Sequence, residues 1–258
     1  MQKKISFKNN KSYILKGVLH LPEGDGPFPA VIVQHGLKGD HERPLVKFLS
    51  GELEKAGFVV LRFSLSGHKP SGGSYQDVLI SQFLKDLKAG LDFLLKVKEV
   101  DKKRIGLIGH SMGAFNALMF ASQEKKIKAL APIGSYWDIG RLIKSFQDKG
   151  KVSEINRDYF VLFSRGTGQK FKVTVKHFED KVYSKKEELI KAINCPALVI
   201  YGSQDDTVYL DDSKMIYDLL KHPKKLKVIK GGDHLFIKSK KYQQQIFKEV
   251  LSWFKKYL

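Results

Sequence analysis

Cysteine is nearly absent from this sequence, which has 258 residues and only Cys195. A single cysteine excludes an intrachain disulfide. It directly precedes Pro196 at the start of an apolar segment, where a thiol is usually a small buried hydrophobe. We therefore expect Cys195 to pack in the protein interior and not to act as a nucleophile.

Long apolar runs are also lacking, because no stretch of the sequence approaches the length of a membrane span. Residues 1–6 are partly basic but are not followed by the apolar segment of a signal peptide. The sequence therefore predicts no membrane span and a cytoplasmic location. Its length and its 42% hydrophobic residues are enough for a single domain over residues 1–258.

Arginine is scarce, although the chain is strongly basic. Only 6 of the 46 basic residues are arginine, and with 27 acidic residues the formal net charge is +19. A charge of this sign is compatible with nucleic acid or another anionic partner. Lysine, however, is the poorer bidentate ligand of phosphates and bases, and the lysines are spread along the chain in short clusters. We interpret them as a solvated surface and expect no nucleic-acid partner.

Strand-like and helix-like segments alternate through most of the sequence. Two segments near the N-terminus have the pattern of an antiparallel hairpin. After a turn rich in glycine and proline at 22–27, short apolar strands such as 31–34 and 59–63 alternate with amphipathic helices. One helix has a core-facing stripe of Leu79, Phe83, Leu87, Leu91 and Leu94. This order predicts an α/β fold with a mostly parallel central sheet covered by helices on both faces.

The most specific local signal is the pentapeptide Gly109-His110-Ser111-Met112-Gly113, which has the pattern G-x-S-x-G. A short apolar segment precedes it, and a helix-like segment follows it. A strand, a sharp turn and a helix hold a nucleophilic serine above a sheet, and small flanking residues let the strand and the helix approach. The pattern also occurs by chance, so Ser111 needs further support as a candidate nucleophile.

A nucleophilic serine needs a general base and a carboxylate that orients the base. The segment 197–201 is typical of a strand, and Asp205 follows its end. The segment 226–229 is typical of another strand, and His234 follows that one. One known fold with such a site has the serine, the acid and the histidine in this same order along the chain, each just beyond a strand. We therefore predict a catalytic triad of Ser111, Asp205 and His234.

Two other carboxylates lie near the predicted acid and base. Asp206 competes with Asp205 for the position of the acid. The structural alternative for Asp206 is an N-cap or first-turn residue of the helix that follows. Asp233 is adjacent to His234, and we expect it to shape the turn.

The tetrahedral intermediate of acyl transfer needs two N–H donors. We expect one from the backbone of Met112, directly after the serine, and the other from the loop that follows the strand at 30–34. His35 and Gly36 begin this loop, and the N–H of Leu37 is the predicted second donor. The structural alternative is that His35 and Gly36 form only a turn.

The remaining histidines do not suggest a metal site. The residues His35, Asp40, His41 and Glu42 have metal-ligating groups, but they have neither a helical i, i+4 pair nor zinc-type spacing. We expect no metal and no cofactor. His35 is interpreted as a structural hydrogen-bonding group, and His110 as a side chain that packs or caps locally.

The regular alternation breaks at about residues 135–186, where aromatic residues are frequent. We predict that this segment is a small inserted cap over the site. Residues 165–168 predict a hairpin turn between strands at 161–163 and 171–173. Most of the aromatic side chains are expected to pack the cap onto the body, and the others to line an apolar pocket. The predicted pocket residues are Tyr136, Trp137, Phe171 and Phe178.

The sequence resembles the α/β-hydrolase superfamily from about residue 17 to residue 258. The matching stretches are VIVQHGLKG, FVVLRFSLSGHKPSGG, IGLIGHSMGAFNAL, ALVIYGSQDDTV and VIKGGDHLF. The sequence is most similar to the feruloyl (cinnamoyl) esterase-like group, with monoacylglycerol lipases and serine aminopeptidase-type hydrolases as near relatives. It departs at Ser64, where relatives usually have an aspartate, and at 67–69, where they have a Gly-His-Gly run.

The motifs and the resemblance together imply a serine carboxylester hydrolase. It would act on small to medium acyl or aromatic, feruloyl-like esters through an acyl-enzyme intermediate. Thioesterase, lipase, serine peptidase and C–C bond hydrolase activities on the same fold remain alternatives. A binding protein that has kept the fold without catalysis is another. The expected partner is a small-molecule ester, and the oligomeric state stays open, with a homodimer as one option.

Overall fold

The computed structural model describes residues 1–75, 79–163, 170–177 and 179–258. The strands are β1 (Gln2–Lys8), β2 (Ile14–His20), β3 (Phe28–Gln34), β4 (Val59–Phe63), β5 (Val100–His110), β6 (Ile127–Ile133), β7 (Val152–Ile155), β8 (Tyr159–Phe163), β9 (Lys170–Thr174), β10 (Ala197–Gly202) and β11 (Lys224–Ile229). The helices are α1 (Pro44–Lys55), α2 (Ile80–Leu94), α3 (Met112–Ala121), α4 (Ile139–Asp148), α5 (Lys181–Ser184), α6 (Lys186–Lys191), α7 (Leu210–Leu219) and α8 (Lys240–Tyr257), with one 3-10 turn at Val175–His177. Among the helices of these described ranges, none combines the length and the apolar character that a membrane crossing needs.

Eight of the strands form one sheet in the order β1-β2-β4-β3-β5-β6-β10-β11. The pairs β1/β2 and β2/β4 are antiparallel. Every other pair in this sheet is parallel. The predicted N-terminal hairpin and the predicted mostly parallel sheet are therefore both confirmed.

Alternate residues of the central strands face two separate apolar layers. In β3, Ile32 packs in the layer that contains side chains of α2 and α3. Its neighbours Val31 and Val33 pack in the layer that contains side chains of α1 and α8. All three are almost completely buried, which is what helices on both faces of a sheet produce. This burial confirms the predicted α/β class.

The predicted apolar stripe of α2 faces the core. Its buried members are Phe83, Leu87, Leu91 and Leu94. Leu79 is the N-cap residue and is half-buried. The preceding residue, Val78, lies outside the described residues.

Between β6 and β10 the chain forms α4, a separate sheet of β7, β8 and β9, and the short helices α5 and α6. The predicted hairpin is present, because β8 and β9 pair in antiparallel fashion with Val161 opposite Lys172. Its predicted turn at 165–168 lies outside the described residues. Phe146 and Phe160 of this segment pack in the same apolar layer as α2 and α3. The segment is thus joined to the main body by apolar contacts.

The single cysteine packs as the sequence predicts. Cys195 is half-buried and lies against the apolar layer of α2 and α3. Burial raises the pKa of its thiol to about 11. The thiol is therefore protonated at neutral pH and is a poor nucleophile.

Candidate active site

Ser111 lies in the turn between β5 and α3. Its backbone has φ 57° and ψ −120°, a conformation that is strained for a residue with a side chain. The Ser111 N–H donates to the carbonyl of Ile133, the last residue of β6, at 2.8 Å. This bond holds the turn at the carboxyl end of the parallel strands, where ligand sites of such sheets form.

Two glycines allow the turn to be this tight. A Cβ at Gly109 would lie 2.0 Å from the carbonyl oxygen of Gly113. A Cβ at Gly113 would lie 2.4 Å from the carbonyl oxygen of His35. A side chain at either position would force β5 and α3 apart and move Ser111, so both positions of the motif are required by the packing.

The structure brings the three predicted triad side chains together. His234 Nε2 is 3.0 Å from Ser111 Oγ, and His234 Nδ1 is 2.7 Å from Asp205 Oδ2. In the neutral ring, a proton on Nδ1 is donated to Asp205, and Nε2 is then an acceptor for the serine proton. The Asp205 carboxylate is fully buried, and its Oδ1 accepts the backbone N–H groups of Thr207 and Val208.

The carboxylate that contacts the histidine is Asp205 and not Asp206. The structural alternative for Asp206 is wrong, because the N-cap residue of α7 is Tyr209, three positions later. Residues 206–208 lie between the buried Asp205 and this N-cap residue. Asp206 instead lies 3.3 Å from the Nζ of Lys149. The carbonyl of Asp233 accepts a backbone N–H three residues later, as expected for a turn residue.

Leu37 and Met112 line one small cavity together with Ser111. Within the part of the chain that the structure describes, neither backbone N–H donates to a protein acceptor. Both are thus available to an oxygen atom bound at Ser111. Met112 is also the first residue of α3, so the positive end of the helix dipole lies at this position. Two such donors are what an oxyanion hole requires.

Two cavities open at Ser111. The larger has a volume of about 330 Å³ and is also lined by His234. The smaller has a volume of about 20 Å³ and shares Ser111, Leu37 and Phe146 with the larger. Apart from Ser111 itself, its lining is apolar or aromatic.

The predicted pocket residues have different positions. Tyr136 lines the smaller cavity and Phe171 the larger. Trp137 is described but lines neither of these two cavities, and the Nζ of Lys186 lies over its ring at 4.9 Å. Phe178 lies outside the described residues.

The charged lining of the larger cavity was not predicted from the sequence. Lys38, Arg43 and Lys151 all contribute to this lining. Burial, with smaller contributions from the charges of Lys151 and Arg43, lowers the pKa of Lys38 to about 8. The proximity of Lys38 and Arg43 to Leu37 in the sequence was one available signal. Lys151 lies more than 100 positions away, and no local pattern connects it to them.

Two histidines beside the triad make structural hydrogen bonds. His35 Nδ1 lies 2.9 Å from the carbonyl of Gly36, to which it donates, and Nε2 accepts the N–H of Leu65. His110 Nε2 donates to the carbonyl of His234 at 2.8 Å. Burial lowers the pKa of both His35 and His110 to about 4, so both rings are neutral at pH 7. The bond from His110 fixes the loop that carries His234, a contact that the sequence did not indicate.

The histidine and acidic residues at 35–42 take part in other contacts. His41 Nδ1 is 2.8 Å from the Oγ of Ser64, and Glu42 pairs with Arg62. Ser64, the point of departure from related sequences, thus holds this loop through His41. Within the described ranges, no group of three or more His, Cys, Asp or Glu side chains is arranged to hold a metal ion.

The model of the prolyl oligopeptidase family matches residues 49–258 of this chain. The chain belongs to the prolyl oligopeptidase family. It is a serine hydrolase, as the sequence motifs predict.

A relative of similar length is the uncharacterized 31.7 kDa protein in the traX-finO intergenic region of Escherichia coli. It is 23% identical to this member of the prolyl oligopeptidase family, over 92% of this chain and 94% of the relative.

Two solved structures are similar over nearly their full length. The esterase domain of a Rhodothermus marinus protein has a TM-score of 0.78 and 22% identity, with 100% of this chain and 99% of that chain covered. Est1E from Butyrivibrio proteoclasticus, with ferulic acid bound, has a TM-score of 0.78 and 21% identity, with 96% and 98% covered. These similarities confirm the predicted α/β-hydrolase fold.

Proposed function

We propose that this protein is a carboxylester hydrolase that acts through Ser111, His234 and Asp205. One observation carries the proposal: a hydrogen-bonded chain runs from Ser111 Oγ through both ring nitrogens of His234 to the buried carboxylate of Asp205. This arrangement activates a serine for attack on a carbonyl carbon. The esterase domain of the Rhodothermus marinus protein has a similar fold, and this similarity supports an ester as the substrate.

In the proposed reaction, Ser111 Oγ forms a bond to the ester carbonyl carbon while His234 Nε2 accepts its proton. The bond to the alcohol oxygen then breaks, and His234 returns the proton to that oxygen. The acyl group stays on Ser111 until a water molecule, deprotonated by His234 in the same way, attacks it and releases the acid. Asp205 keeps the ring oriented and stabilises its charged form.

The backbone N–H groups of Leu37 and Met112 are the proposed donors to the oxyanion. Charge develops on the carbonyl oxygen only in the transition state and the tetrahedral intermediate. Fixed donors therefore stabilise these states more than the bound ester.

We also propose that residues 135–186 act as a cap within one domain over residues 1–258. Side chains from this segment line both cavities at Ser111. Tyr136 and Phe160 line the smaller cavity, Phe171 lines the larger one, and Phe146 lines both. Aromatic walls suit an apolar or aromatic part of a substrate. Est1E with bound ferulic acid has a similar fold, which makes a feruloyl ester a suitable test compound.

Serine peptidase activity is a second candidate, because the matching family is named after an oligopeptidase. The same three side chains would serve for an amide, with His234 protonating the leaving amine. Thioester and lipid substrates require the same chemistry as well, so the choice among them depends on the binding cavities and not on the triad.

Replacement of the nucleophile tests the proposal. We expect wild type to hydrolyse 4-nitrophenyl esters, and Ser111→Ala to lose about 10⁴-fold or more in kcat, because the attacking oxygen is absent. Rates for acetate to palmitate esters, for methyl ferulate and for aminoacyl 4-nitroanilides give the acyl and bond preference. A Ser111→Ala variant with near wild-type ester turnover would contradict the assignment.

A folded control separates loss of chemistry from loss of structure. The circular dichroism spectrum of Ser111→Ala should match that of wild type. A fluorophosphonate should label wild type at Ser111 and leave the variant unlabelled. Labelling without turnover of any ester would indicate a serine hydrolase for another bond.

The proposed partner is therefore a small-molecule ester. A cytoplasmic location stays a prediction, which fractionation of cells that express the protein would test.

A further inference from the structure

The two cavities at Ser111 differ in their relation to the general base. His234 lines the larger cavity of about 330 Å³ but is not part of the lining described for the smaller one. Met112, one of the proposed oxyanion donors, lines only the smaller cavity. An ester bound at Ser111 would therefore meet His234 from the larger cavity and the Met112 N–H from the smaller one.

The proposed mechanism assigns the two halves of the ester to the two cavities. His234 must deliver a proton to the oxygen of the leaving alcohol, so this oxygen has to lie within hydrogen-bond reach of Nε2. The alcohol then extends into the larger cavity, which His234 lines. The acyl group is left with the smaller cavity, whose volume of about 20 Å³ is close to that of a single small group.

The larger cavity has a positive lining. Lys38, Arg43 and Lys151 line it, and none of its described lining residues is acidic. The guanidinium of Arg43 donates to the carbonyl of Lys38, which ties the two cationic residues together. The nearby carboxylate of Asp206 pairs with Lys149, and it also interacts with the charge of Lys151. An anion in this cavity would thus meet the cationic side chains of Lys38 and Arg43, with Lys151 as a third cation whose charge Asp206 already offsets in part.

The surroundings of Lys38 disfavour the positive charge on its amine. Its amine is partly buried, and the largest cause of its lowered pKa of about 8 is loss of solvent, followed by repulsion from Lys151 and Arg43. A bound anion would offset both effects, since it replaces lost hydration and screens the like charges.

Apolar side chains form the rest of the wall. Leu235 and Ile237 follow the general base in sequence, line the larger cavity, and are 44% and 52% exposed. Phe146 and Phe171 line it from the inserted segment. The larger cavity therefore suits a group that has both a carbon skeleton and a negative charge.

We propose that the leaving alcohol of the substrate carries an anionic group, a carboxylate or a phosphate, and that the acyl group is short. The inference rests on the proposed ester hydrolysis and names the substrate class for it. Hydrolysis would consume one water molecule and release a short carboxylic acid and an anionic alcohol. Lys38, Arg43 and Lys151 bind the anion, and the proposed triad is unchanged.

Three chromogenic esters test where the charge is recognised. The acetyl ester of 3-hydroxy-4-nitrobenzoate has an anionic leaving group, and the acetyl ester of methyl 3-hydroxy-4-nitrobenzoate has a neutral one. The mono-4-nitrophenyl ester of succinate has its charge on the acyl side. After correction for the alkaline hydrolysis rates, we expect kcat/KM to be about tenfold or more higher for the anionic leaving group than for the neutral one.

Variants of the lining residues test whether the larger cavity causes the preference for an anionic leaving group. Lys38→Gln and Arg43→Gln should each lower the ratio of kcat/KM between the first two esters by about fivefold or more. The matched control is Lys125→Gln, which removes one exposed lysine far from both cavities and should leave the ratio within about twofold. A ratio measured on one protein sample does not depend on the fraction that is folded.

The alcohol product gives a readout that needs no turnover. By titration calorimetry, 3-hydroxy-4-nitrobenzoate should bind wild type more tightly than its methyl ester, and Lys38→Gln should weaken its binding by about fivefold. To compare a carboxylate with a phosphate, the titration is repeated with the nitrophenol in which a phosphate group replaces the carboxylate. The tighter ligand shows which anion the cavity prefers.

Two results would overturn the inference. Hydrolysis of the neutral acetyl ester with a ratio near one, or a preference for the succinate ester, would show that the leaving group is not recognised by charge, while ester hydrolysis would stand. Absence of turnover for all three esters by a protein that a fluorophosphonate still labels would instead overturn the proposed function, and this inference with it.

Discussion

At the scale of single residues, the candidate site depends on neutral histidines as much as on His234, the proposed general base. His35 is fully buried next to the motif turn, with one ring nitrogen donating to Gly36 and the other accepting from Leu65. Only the neutral ring can make both bonds, because a protonated ring has no acceptor. A charge at His35 would therefore break the contact with Leu65 and remain unsolvated.

This arrangement predicts a loss of stability in mild acid. The pKa of His35 is lowered to about 4 by burial, whereas in the unfolded chain it is about 6.5. Between these values the unfolded state binds a proton that the native state does not, so stability falls as the pH decreases. We expect the free energy of unfolding to drop by about 2 kcal/mol between pH 7 and pH 5 from this group alone.

Urea unfolding of wild type and His35→Gln at both pH values measures this contribution. The glutamine keeps a hydrogen-bonding side chain but has no proton to gain. The drop from pH 7 to pH 5 should therefore be smaller in the variant by about 2 kcal/mol. Equal drops in the two proteins would show that His35 does not titrate between the native and unfolded states.

At the scale of elements, the strand–turn–helix unit around Ser111 could be predicted from the sequence because its requirements are local. The contacts that forbid a Cβ at Gly109 come from residues only four or five positions away. The contacts at Gly113 come from the end of β3, yet they constrain the same short motif. Local geometry of this kind leaves a local sequence pattern.

Glycines in different elements are predicted to respond in opposite ways to alanine. Gly51 lies inside α1, where a Cβ would meet nothing within 4 Å, so Gly51→Ala should stabilise the protein by about 0.5–1 kcal/mol. A Cβ at Gly109 would lie 2.0 Å from a backbone oxygen, so Gly109→Ala should destabilise by about 3 kcal/mol or more. Guanidinium unfolding of both variants checks the two signs, and equal shifts would contradict the packing described for the motif.

Contacts between distant elements account for what the sequence did not indicate. The bond from His110 to the carbonyl of His234 joins residues 124 positions apart. The positive lining combines Lys38 and Arg43, after β3, with Lys151, before β7. Neither set has a fixed spacing, because its geometry is produced by the sheet order and not by the local chain. The structural role expected for Asp206 was wrong for a related reason, since the N–H groups of Thr207 and Val208 bind the buried Asp205 and α7 begins only at Leu210.

At the scale of the whole molecule, the net charge of +19 opposes the compact state. Like charges are closer together in the folded protein than in the unfolded chain, and added salt screens their repulsion. We expect the melting temperature to rise by a few degrees when sodium chloride is increased from about 0.01 M to about 0.2 M.

A variant with less charge provides the control. Lys125→Glu with Lys126→Glu changes two exposed positions and lowers the net charge from +19 to +15, since each exchange removes one positive charge and adds one negative charge. Its melting temperature should rise less with salt than that of wild type. A wild-type melting temperature that falls or stays constant with salt would contradict the expected repulsion.

Part of the lysine excess lies on the two edge strands of the central sheet. β1 and β11 are the outermost strands of its order, and among the described residues no further strand pairs with their outer edges. β1 contains Lys3, Lys4 and Lys8, and β11 contains Lys224, Lys225 and Lys227. Lys225 and Lys227 pair with Glu249, whereas a second copy that extended the sheet at β1 would bring the lysines of two β1 strands close together. The lysines of β1 thus disfavour extension of the sheet by a second copy at that edge.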